Sequence, residues 1–119
     1  PIMRKTYFYK NLSFPVADNE DVNLTVEFVS DGNIAQTIAN VPGPNDKSIQ
    51  DEGTECIGKG KELRNEFTVI FSDVSNPAPE ENHIRIKYYI NDELIVLHEN
   101  PKSEEDRPYI AITIKFPSK

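Results

Sequence analysis

The side chains that could do chemistry in this sequence are mostly carboxylates, and they cluster in segments rich in turn-forming residues. The chain has 20 Asp and Glu residues against 13 Lys and Arg, which gives a formal net charge of −7. Carboxylates from separate loops could converge on Ca²⁺, which takes about six to eight oxygen ligands in a flexible geometry. No EF-hand pattern is present to fix their spacing. The candidate calcium ligands are Asp18, Glu20, Asp21, Asp51 and Glu52.

A glycine-rich string, GTECIGKG at residues 53–60, matches a phosphate-binding loop up to its last position. Gly60 stands where that loop needs a Ser or Thr hydroxyl to hold Mg²⁺. The preceding residues have the composition of a polar loop, and no helix is predicted to follow and aim its N-terminus at a phosphate. We therefore interpret the string as a bend or bulge between strands, with Lys59 and Lys61 in water.

Cys56, His83 and His98 are the remaining candidates for a nucleophile, a base or a metal ligand. No two of them have the local spacing of a zinc site, and an acidic setting beside Glu55 opposes a reactive thiolate. The histidines could touch across a hairpin, while Cys56 is expected to be a buried, inert thiol. Without a nucleophile next to a base, or a cofactor loop, the sequence predicts a protein that is not an enzyme and has no cofactor.

The amino terminus, Pro1 followed by Ile2, resembles that of the tautomerases, whose N-terminal proline amine acts as a general base. That fold needs an amphipathic helix soon after its first strand, whereas residues 12–21 contain Pro15 and an acidic turn. We therefore do not predict a tautomerase. An alternative hypothesis is that Met3 is the natural start and that the two residues before it are left over.

Basic and aromatic side chains alternate on the segment that contains Arg85, Lys87 and Tyr89. Such a grouping is typical of platforms for single-stranded nucleic acid, but the acidic net charge opposes phosphate binding, which needs Lys and Arg to displace counterions. We instead predict these three residues and Tyr109 as contacts for a protein partner, and no nucleic acid. Carbohydrate binding would depend on tyrosines, because the chain has no Trp.

The elements that must position these side chains are predicted to be strands, because four segments alternate apolar and polar residues with period two. Their core-facing side chains are expected to be Val22, Leu24, Val26 and Phe28; Phe67, Val69 and Phe71; Ile84, Ile86, Tyr88 and Ile90; and Ile110, Ile112, Ile114 and Phe116. Weaker strand candidates are residues 4–9, 54–57 and 94–99. Residues 34–41 fit a short helix as well as a strand.

A tight hairpin is predicted at Asn91 and Asp92, which tolerate positive φ between two apolar runs. A two-residue loop would place His98 opposite Arg85, whereas a three-residue loop would place Glu99 there and form a favourable charge pair. Both registers remain open at this point.

About seven or eight short strands predict an all-β fold: one domain over residues 1–119, built as an antiparallel β-sandwich of the immunoglobulin-like, C2-like or jelly-roll-like kind. No apolar run approaches the roughly 20 residues that span a bilayer, so membrane insertion is not predicted. The single cysteine cannot form an intramolecular disulfide, which favours a reducing, cytoplasmic compartment without deciding it.

The predicted function is that of a non-catalytic interaction or assembly module. Its contacts are expected on the outward face of the 85–99 hairpin and at the edge of the final strand, 109–116, which could accept another chain. The alternative is a calcium- or carbohydrate-binding module that uses the acidic loops.

Overall fold

The computed structural model describes residues 4–119, and it consists of nine strands and one short helix. Pro1, Ile2 and Met3 lie outside the described residues, and so do the two hypotheses about the amino terminus. The elements are β1 Thr6–Ser13, β2 Asp21–Phe28, β3 Ile34–Asn40, β4 Lys47–Gln50, β5 Gly53–Lys59, α1 Gly60–Leu63, β6 Thr68–Ser75, β7 His83–Ile90, β8 Glu93–Pro101 and β9 Tyr109–Lys115.

Two sheets pack face to face, which confirms the all-β sandwich. One sheet has five strands in the order β1-β9-β6-β3-β4, and the other has four in the order β5-β2-β7-β8. All strand pairs are antiparallel except β1 with β9. The expected antiparallel sandwich of seven or eight strands thus differs by a parallel edge pair and by an additional strand. Strands far apart in sequence can pair in either direction, because no hairpin turn joins them.

The core lies between the sheets, where alternate side chains of the strands interdigitate. The inward residues predicted for β2, β7 and β9 are confirmed, with one exception: Phe28, at the end of β2, is half-buried. In β6 the prediction was wrong, because Thr68, Ile70, Ser72 and Val74 are buried instead of Phe67, Val69 and Phe71. Both alternating sets of this strand contain apolar residues, and a shift of one position exchanges the two faces.

A buried hydrogen-bond chain explains how β6 can turn polar side chains inward. The Tyr88 hydroxyl on β7 donates to Ser72 Oγ at 2.8 Å, and the hydroxyls of Ser72 and Thr37 are 2.7 Å apart. Burial of its ring raises the pKa of Tyr88, which keeps the phenol a neutral donor. These hydrogen bonds link the two sheets and provide partners for hydroxyl groups that would otherwise destabilise the core.

Thr68 is the exception in this core, since its hydroxyl is buried with no hydrogen-bond partner among the described residues. We expect Thr68→Val to stabilise the fold by about 1 kcal/mol, because the substitution removes an unpaired polar group at nearly constant volume. Thr37→Val is the matched control and should destabilise by about 1 kcal/mol, since it deletes a bonded hydroxyl. Urea unfolding of both variants measures the two changes, and a destabilised Thr68→Val would contradict the prediction.

Residues 34–40 form strand β3 and not a helix. Ala35, Thr37 and Ala39 are buried with period two, and the strand is hydrogen-bonded to β4 on one side and to β6 on the other. Ile34 and Ile38, whose spacing also fits a helix, both lie on the outer face. Hydrogen bonding to a strand on each side stabilises residues 34–40 as a strand. The sequence of one segment does not show which other segments will pair with it.

The β7–β8 hairpin combines features of both proposed registers. Asn91 and Asp92 have φ of 48° and 67° and form a two-residue turn in which Ile90 is opposite Glu93. A bulge then shifts the pairing, so that Arg85 is opposite Glu99, as expected for the longer loop.

The glycine-rich string forms β5 and the start of α1. Gly58 has a φ of 145° beside a register shift in the pairing of β5 with β2, so the interpretation as a bulge is confirmed. Contrary to expectation, a helix does follow the string, but it is a single turn of four residues.

Candidate functional site

The acidic candidates for calcium binding lie in two groups at opposite ends of β2. Near its start, the Asp18 carboxylate is 2.6 Å from Arg64, Asp21 is 3.0 Å from Lys59 Nζ, and Glu20 accepts the Ala17 N–H at 2.9 Å.

The second group lies in the β4–β5 turn. There Asp51 accepts the Ala35 N–H at 2.9 Å, and Glu52 accepts the N–H of Phe28, the last residue of β2, at 2.7 Å. All five carboxylates therefore act as partners of cations or of backbone N–H groups. Within residues 4–119, no three Asp, Glu, His or Cys side chains are grouped so that they could hold a metal ion.

The predicted contact between the histidines and the predicted burial of Cys56 were both wrong. His83 lies opposite Pro101 and faces outward, whereas His98 lies opposite Ile86 and is buried in the core. Cys56 is exposed on β5, because neighbouring strand residues point to opposite faces and Ile57 occupies the inward position.

His98 connects the edge strands β8 and β1, which belong to different sheets. Its Nδ1 is 2.8 Å from the Tyr9 hydroxyl, and its Nε2 is 2.8 Å from Asn100 Oδ1. The amide group of Asn100 donates to the carbonyls of Pro101 and Glu105, so its oxygen must accept from Nε2–H.

His98 therefore carries a proton on Nε2, and in the neutral tautomer its Nδ1 accepts a hydrogen bond from the Tyr9 hydroxyl. Burial lowers the pKa of His98, although the hydrogen bond to Asn100 and the charge of Glu99 act in the opposite direction. His98 is buried, with no side-chain surface exposed to solvent. The arrangement bridges the two sheets and does not form an open catalytic dyad.

The predicted interaction residues lie on two different sheets. Arg85, Lys87 and Tyr89 share the outer face of the four-stranded sheet, as expected, but the side chains of Arg85 and Tyr89 already have partners within the molecule. Arg85 forms an ion pair with Glu99, while Glu27 lies opposite Lys87 and accepts the Tyr89 hydroxyl at 2.8 Å.

Tyr109 lies on β9 in the five-stranded sheet. The proposal that this final strand offers a free edge was wrong, because β9 is hydrogen-bonded to β1 on one side and to β6 on the other.

The outer face of the five-stranded sheet, which we call the five-stranded face, contains an apolar row that sequence reasoning missed. Phe8, Ala111, Phe71 and Ile38 occupy directly opposite positions on β1, β9, β6 and β3, and so form one line across four strands. Phe8 is 61% exposed and Ile38 is 39% exposed at the two ends of the row. Strands are spaced about 4.8 Å apart, so the apolar row extends about 14 Å.

Aromatic rings and cations surround the apolar row. Tyr109 stacks on Phe71 with ring centroids 5.2 Å apart, and the Arg4 guanidinium lies 3.8 Å above the Tyr109 ring while it also pairs with Asp73. Lys10 Nζ lies 5.1 Å from the centroid of the Phe8 ring.

A second lysine, Lys115, lies 4.6 Å from the centroid of Phe67. Neither Lys10 nor Lys115 forms an ion pair with a carboxylate of the described chain. In a chain with a net charge of −7, the five-stranded face is thus aromatic and locally cationic.

A signal for this face was present in the sequence. Residues 67, 69 and 71 are apolar although the alternate set contains Ile70 and Val74, so both faces of β6 carry apolar side chains. Such a strand is typical of a sheet that is covered on both sides.

The chain matches no protein-family model, and no curated protein is detectably similar to it. Among the described residues, no helix has the length and apolar character needed to cross a membrane.

Proposed function

We propose that the protein is a non-catalytic interaction module that binds a protein partner on the five-stranded face. The apolar row is the observation that supports this function. Isolated apolar residues are common on protein surfaces, but a contiguous apolar patch that includes two phenylalanines is typical of a binding site. Aromatic anchors of this kind supply most of the affinity in protein interfaces.

The charges beside the apolar row favour a partner surface with an apolar centre and carboxylates at its rim. Lys10 lies beside Phe8, and Lys115 lies on the neighbouring strand. Opposite charges at the rim would accelerate association and orient the partner, while the apolar row would slow dissociation.

The size of the five-stranded face argues against a stable homodimer. Five strands of about seven residues cover a flat area of about 550 Å², given strand spacings of about 4.8 Å and a rise of about 3.3 Å per residue. A standard interface buries about 800 Å² on each partner. In addition, a second copy packed face to face would bring its own Lys10 and Lys115 against the same locally cationic surface. We therefore infer a different protein as the partner and a transient complex.

The test is a comparison of two double variants with equal loss of apolar surface. Phe8→Ser with Ile38→Ser removes both exposed ends of the apolar row. Leu94→Ser with Leu97→Ser removes leucines that are 50% and 52% exposed on the four-stranded sheet. All four side chains are exposed, so both proteins should fold. Tagged wild-type and variant proteins are recovered from the native cells, and each companion is quantified by mass spectrometry.

We expect one specific companion to be enriched with the wild type and with the leucine variant, and at least a tenfold loss of it with the Phe8/Ile38 variant. The affinity of the purified pair should fall by the same factor. A companion that is retained by the Phe8/Ile38 variant, or one that is lost equally from both variants, would overturn the proposal. A homodimer that dissociates only in the Phe8/Ile38 variant would overturn the inferred partner.

A further inference from the structure

We propose that a groove beside Phe67 binds a small carboxylate with an apolar body, at a site distinct from the apolar row. The groove has a volume of about 460 Å³ and lies between the end of β1, the segment after α1 and the end of β9. This volume falls within the range of small-molecule pockets, about 300–1,000 Å³.

The lining of the groove selects the charge of its ligand. It contains Lys115 and Arg64 but no Asp or Glu, in a chain that has 20 acidic residues. Four other clefts, with volumes of 240–450 Å³, each have at least one Asp or Glu in the lining. Among these five clefts, an anion would therefore meet the weakest repulsion from lining carboxylates in this groove.

Lys115 is the cation available for direct contact with the ligand. The Arg64 guanidinium is already held by the carbonyls of Val16 and Phe116, each at 3.1 Å, and by Asp18 at 2.6 Å. Lys115 is exposed and has no ion-pair partner among the described carboxylates. A carboxylate in the groove could pair with this ammonium group, with which no acidic side chain of residues 4–119 forms an ion pair.

The apolar body of the ligand would lie against Phe67 and Leu12. Phe67 is 42% exposed, and its ring stands directly below Lys115 Nζ, so an apolar wall and a cation are next to each other. Asn11 and Asn65 border the same groove with φ of 63° and 80° and add polar groups at the rim. The combination fits a molecule that has an acidic head and an aromatic or aliphatic chain.

The experiment uses three probes with the same apolar body: 4-phenylbutyrate, 4-phenylbutan-1-ol and 4-phenylbutylamine. Each is titrated into ¹⁵N-labelled protein while the backbone amide shifts are recorded. We expect the carboxylate to shift the amides of residues 11–13, 65, 67 and 115, and to bind at least about fivefold more tightly than the alcohol. The amine should bind most weakly. Added salt should weaken the binding of the carboxylate but not that of the alcohol.

Two lysine variants test whether the ligand is held in this groove or beside Phe8 in the apolar row. Lys115→Gln should weaken phenylbutyrate binding about fivefold, since an exposed charge pair contributes up to about 1 kcal/mol. Lys10→Gln, which removes another lysine that lies over a phenylalanine ring, should leave phenylbutyrate binding unchanged because Lys10 does not line the groove.

Equal binding of all three probes, shifts centred elsewhere, or no saturable shift with the carboxylate would overturn the proposal. N-acetylphenylalanine and its amide, titrated in the same way, distinguish a peptide C-terminus from a free acid as the source of the carboxylate. Because the Phe8/Ile38 variant keeps the groove, it should still bind phenylbutyrate, so failure of the proposed partner function would leave this result unaffected.

Discussion

Replacing Gly60 by alanine should destabilise the protein by about 3 kcal/mol, at the upper end of the usual cost of overpacking. A Cβ at this position would lie 2.1 Å from the Ala17 carbonyl oxygen and 2.8 Å from Val16 Cγ2. The backbone cannot easily move away, because the Gly60 N–H donates to the Glu20 carbonyl at 3.0 Å. Thermal and urea unfolding of the variant measure the loss.

Gly43→Ala is the control for the Gly60 prediction. Gly43 has a φ of 88°, but nothing lies within 4 Å of the position that a Cβ would occupy there, so only backbone strain of about 1 kcal/mol is expected. If the two variants lost similar stability, the close approach of Gly60 to the loop before β2 would not be the cause.

The sequence was sufficient to predict the strands wherever one face of a strand is apolar and the other is polar. In β7 and β9 the alternation of isoleucine with polar or small residues determined which side chains are buried, and the structure confirms it. Glycine and asparagine positions also indicated the bulge at Gly58 and the turn at Asn91.

The prediction failed where both faces of a strand carry apolar side chains. In β6, Phe67 and Phe71 are larger than the alternate residues Thr68 and Ser72, so hydrophobicity alone favoured the wrong face. The structure resolves this because Ser72 has buried partners on two other strands, Tyr88 and Thr37, which a local pattern cannot contain.

The same limitation hid the candidate sites. The apolar row joins residues 8, 38, 71 and 111, which become neighbours only through the order of strands in the sheet. The groove likewise combines the ends of β1 and β9 with the segment after α1. Sequence reasoning placed Arg85, Lys87 and Tyr89 correctly on one outward face, but it could not show that Glu99 already pairs with Arg85 and that Glu27 already accepts the Tyr89 hydroxyl.

Replacing His98 by phenylalanine should destabilise the protein by about 3 kcal/mol at pH 7.5. The variant keeps a planar ring between the sheets but leaves the Tyr9 hydroxyl and Asn100 Oδ1 without their partner, and each buried unpaired group costs about 1–3 kcal/mol. Urea unfolding measures the change. In a double-mutant cycle, Tyr9→Phe should cost less in the His98→Phe background than in the wild type, because the shared hydrogen bond is already absent.

The His98→Phe variant should also lose a dependence of stability on pH. Burial lowers the pKa of His98 in the folded state, while the unfolded chain titrates near 6.5, so the unfolded state binds more protons below that pH. The stabilising contribution of neutral His98 is complete above pH 6.5 and is lost as the pH falls towards the folded-state pKa, with a slope of at most about 1.4 kcal/mol per pH unit.

The groups that surround the His98 imidazole do not reverse the direction of its pKa shift. Tyr7 and Tyr9 face His98 from β1 as neutral phenols, Ile86 lies opposite on β7, and the carboxylate of Glu99 on the same strand only partly offsets the effect of burial. The outward-facing His83 supplies the control: His83→Gln should retain the loss of stability between pH 6.5 and 5.5, whereas His98→Phe should reduce it. Equal pH profiles for the wild type and His98→Phe would mean that His98 remains neutral in both states or is charged in the fold.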